Sequence, residues 1–267
     1  MSKSKYEYVK NYETKDACLP STYILLRIDG RGFHKFSEKN DFAKPNDKNA
    51  LILMNMAAQK VCEKFKDIFI AYGQSDEFTF VFDRKTDIFN RRKEKIATTV
   101  VSLFTAVYNM NFKEIMDKDI KGLATFDGRI VVYPTLKSLK DYMRWRQVDC
   151  HINNLYNTCF WKLVNEGGQT PHQAEQTLNG TVSADKNELL FSKFNTNYTN
   201  EDAMYRKGST FIRQLSADPE KVSKYNEFVK EGKIDKLSYP KKTLKWTLIF
   251  KDIIKDQFWT ATFPNLD

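Results

Sequence analysis

The chain has 267 residues, with 43 Lys plus Arg against 34 Asp plus Glu and a net charge of +9. Hydrophobic residues at 41% and aromatics at 14% can fill a substantial core, which excludes a disordered or fibrous chain. The cationic excess attracts polyanions, nucleic acid first. No Lys/Arg block dominates, so any basic footprint must be assembled by folding.

Cys18, Cys62, Cys150 and Cys159 are scattered, without a CxxC pair, and there are only three His. That composition argues against a soft-metal site and for free thiols in a reducing compartment, cytoplasmic or nuclear. Residues 1–7 carry no apolar leader core, and no stretch approaches the length of a membrane span, so no membrane partner is expected.

In chain order, residues 5–20 read as a polar and aromatic segment packed on the body. Residues 22–29 form an apolar strand that runs directly into Asp29 and a loose Gly30-Arg31-Gly32 turn. Residues 31–46 read as a loop or short helix, and Asp47 caps a helix whose Leu51, Met54, Ala58, Val61 and Phe65 recur at helical spacing. Two strand-forming runs over 68–82 flank Gly-Gln-Ser-Asp-Glu, a hairpin pattern. A helix with a basic opening spans 90–118 and a strand spans 123–133. Helices then cover 135–164, 170–178 and 183–194. A lysine-rich stretch follows residue 215, and the aromatic end at 244–263 could be two strands. This order predicts an α+β fold, an antiparallel or mixed sheet backed by helices over 1–133, with a mostly helical region over 134–267.

Asp29 at a strand end and Asp76-Glu77 in a hairpin would converge on one rim if their strands pair. Converging carboxylates without nearby His or Cys suit a hard cation such as Mg²⁺, and two ions could serve an attacking and a leaving oxygen. Adjacent strand residues point to opposite faces, so Asp29 and Asp76 rank ahead of Glu77 as ligands. The small Gly30–Gly32 turn could cradle phosphate through its backbone NH groups, though it is no Walker A sequence. Lys44, Arg92 and Lys95 could neutralise a triphosphate, the last two sharing a helix face.

Taken together, Arg27-Ile28-Asp29-Gly30-Arg31-Gly32-Phe33-His34, Phe42-Ala43-Lys44-Pro45-Asn46-Asp47 and Tyr72-Gly73-Gln74-Ser75-Asp76-Glu77 resemble the eukaryotic tRNA-His guanylyltransferases. The resemblance continues through Phe89–Lys93, Asp127-Gly128-Arg129, His151–Thr158 and Lys207-Gly208-Ser209, in collinear order. It implies a palm-like fold of the polymerase and cyclase type. It also implies addition of one guanosine to the 5′ end of tRNA-His, with ATP and GTP as substrates.

By position, the resemblance gives Asp29, Asp76 and the Gly30 carbonyl to two Mg²⁺ ions, with Asp29, Asp76 and Glu77 as the catalytic acids. The nucleotide set is Asp29 through His34 (Arg31, Gly32 and Phe33 included), Ser75, Asp76, Lys44, Arg92 and Lys95. Arg27 would assist activation. His151, Asn154, Lys207, Ser209 and Thr210 would face the tRNA, and the family assembles as a homotetramer. A nucleotide cyclase of the same palm class and a non-catalytic RNA-binding protein are the alternative readings.

Overall fold

In a computed structural model, which describes residues 4–14, 16–215 and 244–264, the sheet has six strands, all antiparallel. They are β1 (Tyr23–Gly30), β2 (Ile68–Gln74), β3 (Glu77–Phe82), β4 (Phe126–Tyr133), β5 (Ser209–Leu215) and β6 (Leu244–Ile249), in the order β4-β1-β3-β2-β5-β6. Strand β1 lies inside the sheet, with Asp29 opposite Glu77 on β3 and Asp127 on β4.

The period-two alternation of β1 explains both of its buried faces. Ile24, Leu26 and Ile28 join one cluster with Leu53 and Val61 of α2 (Lys48–Lys64) and Val100 and Phe104 of α3 (Lys93–Met116). Tyr23 and Leu25 point the other way, onto Leu139 and Met143 of α4 (Leu136–Asn165) and onto Phe258 and Trp259 near the C-terminus. Each fully buried side chain of this kind contributes about 1.5–3 kcal/mol. The same alternation continues to Arg27 and Asp29, which extend the α4 side toward the rim.

Local signals set the helix starts. The Asp47 side chain accepts the Ala50 amide at 3.0 Å at the start of α2, and Thr135 accepts the Ser138 amide at 3.2 Å at the start of α4. A short helix, α1 (Phe33–Lys39), occupies part of the 31–46 segment. Beyond α4 come α5 (Pro171–Leu178), α6 (Ser183–Phe194) and α7 (Ala203–Lys207). The first two of these form a separate apolar cluster with the second half of α4.

Several expectations need correction. The 244–263 end is one strand, β6, followed by α8 (Asp256–Thr262), not two strands. Phe258 and Trp259 favour strands by propensity, but here a helix buries both in the cluster with Leu139 and Met143 of α4. The sheet also draws β5 and β6 from beyond residue 208, where β5 pairs with β2 from Ile70–Ile212 to Gly73–Ser209 and so satisfies an edge that the 1–133 strands leave open. Within the N-terminal segment, residues 7–12 bury nothing, and the ties to the body include Asp16, whose carbonyl accepts the Lys93 amide at 3.0 Å and whose carboxylate pairs with the Lys93 ammonium at 2.9 Å, followed by the Ala17–Arg92 bridge and the buried Cys18. The lysine-rich stretch after 215 lies outside the described residues. No helix among the described residues is long and apolar enough to cross a membrane.

Candidate active site

Asp29 ends β1, and the β2–β3 hairpin turns through Ser75-Asp76 beside it. Ser75 takes a left-handed φ of 50°, which rotates Asp76 out of the pleat. The Gly30 amide donates to the Asp76 carbonyl at 3.1 Å, locking the hairpin tip onto the end of β1. Glycine is required there: a Cβ on residue 30 would lie 2.8 Å from Asp76 Oδ2 and 2.4 Å from the Phe33 ring. The hairpin turn therefore lets Asp76 share the rim with Asp29, as strand geometry alone would not.

Burial pushes the Asp76 carboxyl up, and the neighbouring Asp29 charge adds to the effect. Two carboxylates side by side form a donor set suited to a cation. Among the described residues no group of three or more His, Cys, Asp or Glu could hold a metal. Two carboxylates with a nearby backbone carbonyl still match Mg²⁺, which takes few protein ligands and completes its shell with water and phosphate.

Glu77 is placed differently. It lies opposite Asp29 on the same face of the sheet. Its carboxylate is 3.1 Å from Arg146 Nη1 on α4 and 3.7 Å from Arg27 Nη1. Burial pushes its carboxyl up, while Arg146 and then Arg27 pull it back. Arg27 in turn donates from Nη2 to Asp29 Oδ2 at 3.0 Å. Strand position therefore does not separate Glu77 from Asp29; what distinguishes it here is that its carboxylate is engaged by the Arg146 and Arg27 cations.

These acids open onto a cleft of about 630 Å³ between the palm sheet and α4. Phe33, His34 and the Ala43–Asp47 loop form one wall. Lys44 lies there with its ammonium 3.4 Å from Ser37 Oγ and 5.9 Å from the Trp161 ring centroid. The opposite wall is the face of α4 carrying Asp149, Asn153, Asn157, Phe160 and Trp161. Reading of the sequence missed Arg146, Asp149, Phe160 and Trp161, while Asn153 and Asn157 fall in the His151–Thr158 motif whose asparagines the resemblance gives to the tRNA. Their recurrence at three- and four-residue steps was the available signal.

Arg31 and Gly32 are exposed just beyond the rim, and the exposed His34 pairs with Glu38 at 3.4 Å. Arg92 and Lys95 are not brought to the cleft. Arg91 precedes them and bonds the Thr22 carbonyl at the start of β1. The steps from Thr22 to Asp29 span roughly 23 Å at about 3.3 Å each. Both cations therefore sit at the opposite end of the sheet, because α3 enters there and runs toward the rim rather than from it.

The tRNA-facing set is also divided. His151 is half-buried, and burial lowers its pKa, with Arg206 adding to the effect. The Asn154 amide donates to the Tyr198 hydroxyl at 2.9 Å. The Lys207 carbonyl accepts from Tyr72 Oη at 3.1 Å and from Gln147 Nε2 at 2.8 Å. Ser209 and Thr210 are buried on β5, Thr210 at 0% exposure. In this arrangement an external RNA meets neither of their side chains, because pairing with β2 carries them into the sheet.

The four cysteines are free and buried, and burial pushes Cys150 and Cys159 up to about 11. A thiol held protonated in this way is a poor nucleophile.

A family profile described as tRNAHis guanylyltransferase matches residues 6–134, and one described as the Thg1 C terminal domain matches residues 137–255. A tRNA(His) guanylyltransferase of Schizosaccharomyces pombe is 49% identical over 98% of this chain and 97% of its own length. The crystal structure of the Saccharomyces cerevisiae tRNA(His) guanylyltransferase superposes with a TM-score of 0.75 at 49% identity, covering 77% of this chain and 92% of that one. A bacterial Thg1-like protein in complex with ATP shares the fold, with a TM-score of 0.74 at 20% identity and 99% coverage of both chains. The acid-tipped palm sheet and the matches along both halves of the sequence agree: the chain belongs to the tRNA-His guanylyltransferase family.

Proposed function

We propose that this chain adds a single guanosine to the 5′ end of tRNA-His. The observation that carries the reading is the convergence of Asp29 and Asp76 at the mouth of a cleft walled by Lys44 and the polar face of α4. The chemistry is three displacements at phosphorus. An oxygen of the tRNA 5′-phosphate attacks the α-phosphorus of ATP and pyrophosphate leaves. The GTP 3′-hydroxyl then attacks the activated 5′-phosphorus and AMP leaves. Finally water releases pyrophosphate from the new triphosphate end.

Catalysis of such steps is largely positioning and charge neutralisation. Asp29, Asp76 and the Gly30 carbonyl are the groups that would hold two Mg²⁺, which when bound would acidify the attacking hydroxyl and shield the triphosphate. Lys44 supplies a phosphate contact from the cleft wall. Arg27 orients Asp29 and can turn toward an incoming phosphate.

Arg92 and Lys95, at the far end of the sheet, would reach a triphosphate only from another copy of the chain, which supports the homotetramer. His151 and the Lys207 side chain remain the tRNA-facing groups. Asn154 contributes through the Tyr198 bond that shapes α4.

The test is incubation of 5′-monophosphorylated tRNA-His with ATP and labelled GTP. Wild-type protein should incorporate one GMP, and Asp29→Ala or Asp76→Ala should lose at least about a hundredfold. No incorporation by the wild type refutes the function. Retained activity in both variants refutes the assignment of the acids.

A further inference from the structure

Between α4 and the carboxylate rim runs a file of alternating charges: Asp149, Arg146, Glu77, Arg27, Asp29. Arg146 Nη1 is 3.5 Å from Asp149 and 3.1 Å from Glu77, and its guanidinium carbon stacks 3.4 Å from the Trp145 ring centroid. Glu77 reaches Arg27 Nη1 at 3.7 Å, and Arg27 Nη2 reaches Asp29 Oδ2 at 3.0 Å. Side-chain exposure rises from 5% at Arg146 through 12% and 15% to 32% at Asp29. Asp149, at the other end, is 36% exposed, so the buried middle of the file at Arg146 is its fixed point. Trp145 and Asp149 preset Arg146 from its own helix, so α4 hands a rigid cation to a strand of the palm.

We propose that Arg146 is a positioning residue for the catalytic site, acting through Glu77 and Arg27 to set the orientation and effective charge of Asp29. This makes Glu77 a link in the file and not a cation ligand. It rests on the reading of Asp29 and Asp76 as the cation-holding pair.

The arrangement divides Arg27 between two carboxylates. With Arg146 in place, Glu77 is largely neutralised, and Arg27 can keep one nitrogen on Asp29. Without it, Glu77 draws Arg27 away. Asp29 then loses its fixed rotamer, and the rim gains uncompensated negative charge. Loss of order slows the chemistry, while the added negative charge draws cations more strongly. Neutralising Glu77 does the reverse to cation binding, because Arg27 is left to Asp29 alone.

Mn²⁺ titrated alone into the full-length protein, followed by electron paramagnetic resonance, separates these effects from simple loss of structure. Arg146→Met should bind Mn²⁺ about threefold more tightly or better, yet add GMP at least about tenfold more slowly. Glu77→Gln should bind Mn²⁺ more weakly. The double variant should return to within about threefold of wild-type affinity, since removing one positive and one negative charge leaves the net charge at the rim nearly unchanged. Arg146→Lys keeps the charge but loses the planar fork stacked on Trp145, so Mn²⁺ affinity should stay within about threefold of wild type while GMP addition slows at least about threefold, and a wild-type rate would overturn the positioning role even where the methionine variant fails to fold.

Unchanged or weaker Mn²⁺ binding in a folded Arg146→Met overturns the proposal. So does a tenfold loss in Glu77→Gln that persists in the double variant, because Glu77 would then be a ligand. Asp29→Ala separates the two levels of the argument. If it binds Mn²⁺ as wild type does, the cation-site reading itself fails. If it loses Mn²⁺ while Arg146→Met is unchanged, only the charge file fails.

Discussion

Replacing Arg91 by Met should be among the most damaging single changes outside the cleft. Arg91 is 9% exposed, and its hydrogen bonds among the described residues go to carbonyls and one hydroxyl. It donates to the carbonyls of Cys18 at 3.2 Å, Thr86 at 2.7 Å, Leu19 at 2.6 Å and Thr22 at 2.9 Å, and to Thr22 Oγ1 at 2.9 Å. The bonds tie the 17–22 segment to the turn before α3, where Phe89, Asn90 and Arg91 hold left-handed φ values of 50°, 54° and 59°. Methionine fills the space of the stem but leaves those carbonyls without their donor.

Charged hydrogen bonds are worth about 1.5–3 kcal/mol each. Their sum overstates the loss, because desolvating the guanidinium already offsets several kcal/mol. A cost of about 3–5 kcal/mol is the expectation, comparable to removing one partner of a buried ion pair. That is a large part of the roughly 5–15 kcal/mol stability of an ordinary domain.

Urea unfolding followed by tryptophan fluorescence and circular dichroism measures it. The midpoint should fall sharply at constant slope. Arg91→Lys should fall between, because an ammonium cannot span the same carbonyls. A methionine variant within about 1 kcal/mol of wild type would show that water satisfies those carbonyls and that the arginine is not the tie.

Asp76→Asn should stabilise the metal-free protein while abolishing GMP addition, the usual exchange of stability for function. The folded carboxyl is held above its unfolded value, so its ionisation costs stability. That penalty is absent below the unfolded value of about 3.9 and complete above the folded one. The stability difference from wild type should therefore grow as pH rises through that window, and a pH-independent difference would contradict it. Gly208→Ala should cost about 2–5 kcal/mol by thermal or urea unfolding. Residue 208 holds φ 68° and ψ −174°, and its Cβ would meet the Gly73 carbonyl and Tyr72 Oη at 2.6 Å. A silent substitution would mean that the 207–208 turn can move off β2. Finally, Asp29→Ala and an Arg92→Ala/Lys95→Ala double variant, each inactive alone, should regain activity when co-expressed as mixed oligomers. Failure to complement would place the two cations outside the triphosphate site.

The sequence by itself determined what depends on neighbours along the chain. The apolar run into Asp29, the hairpin around Ser75-Asp76 and the Asp47 cap are local patterns, and they form as read because period and turn chemistry act over a few residues. The family match likewise rested on short collinear motifs.

Pairings between distant segments were decided only by the tertiary structure. β5 and β6 cross from beyond residue 208 to complete the sheet, which buries Ser209 and Thr210. Arg92 and Lys95 follow a helix whose direction no local pattern specifies, and so stand at the wrong end of the sheet for their own cleft. Glu77 shows the reason most clearly. Its place on a strand says which face it takes, but its role depends on Arg146, 69 positions away in sequence, and electrostatics acts through space rather than along the chain.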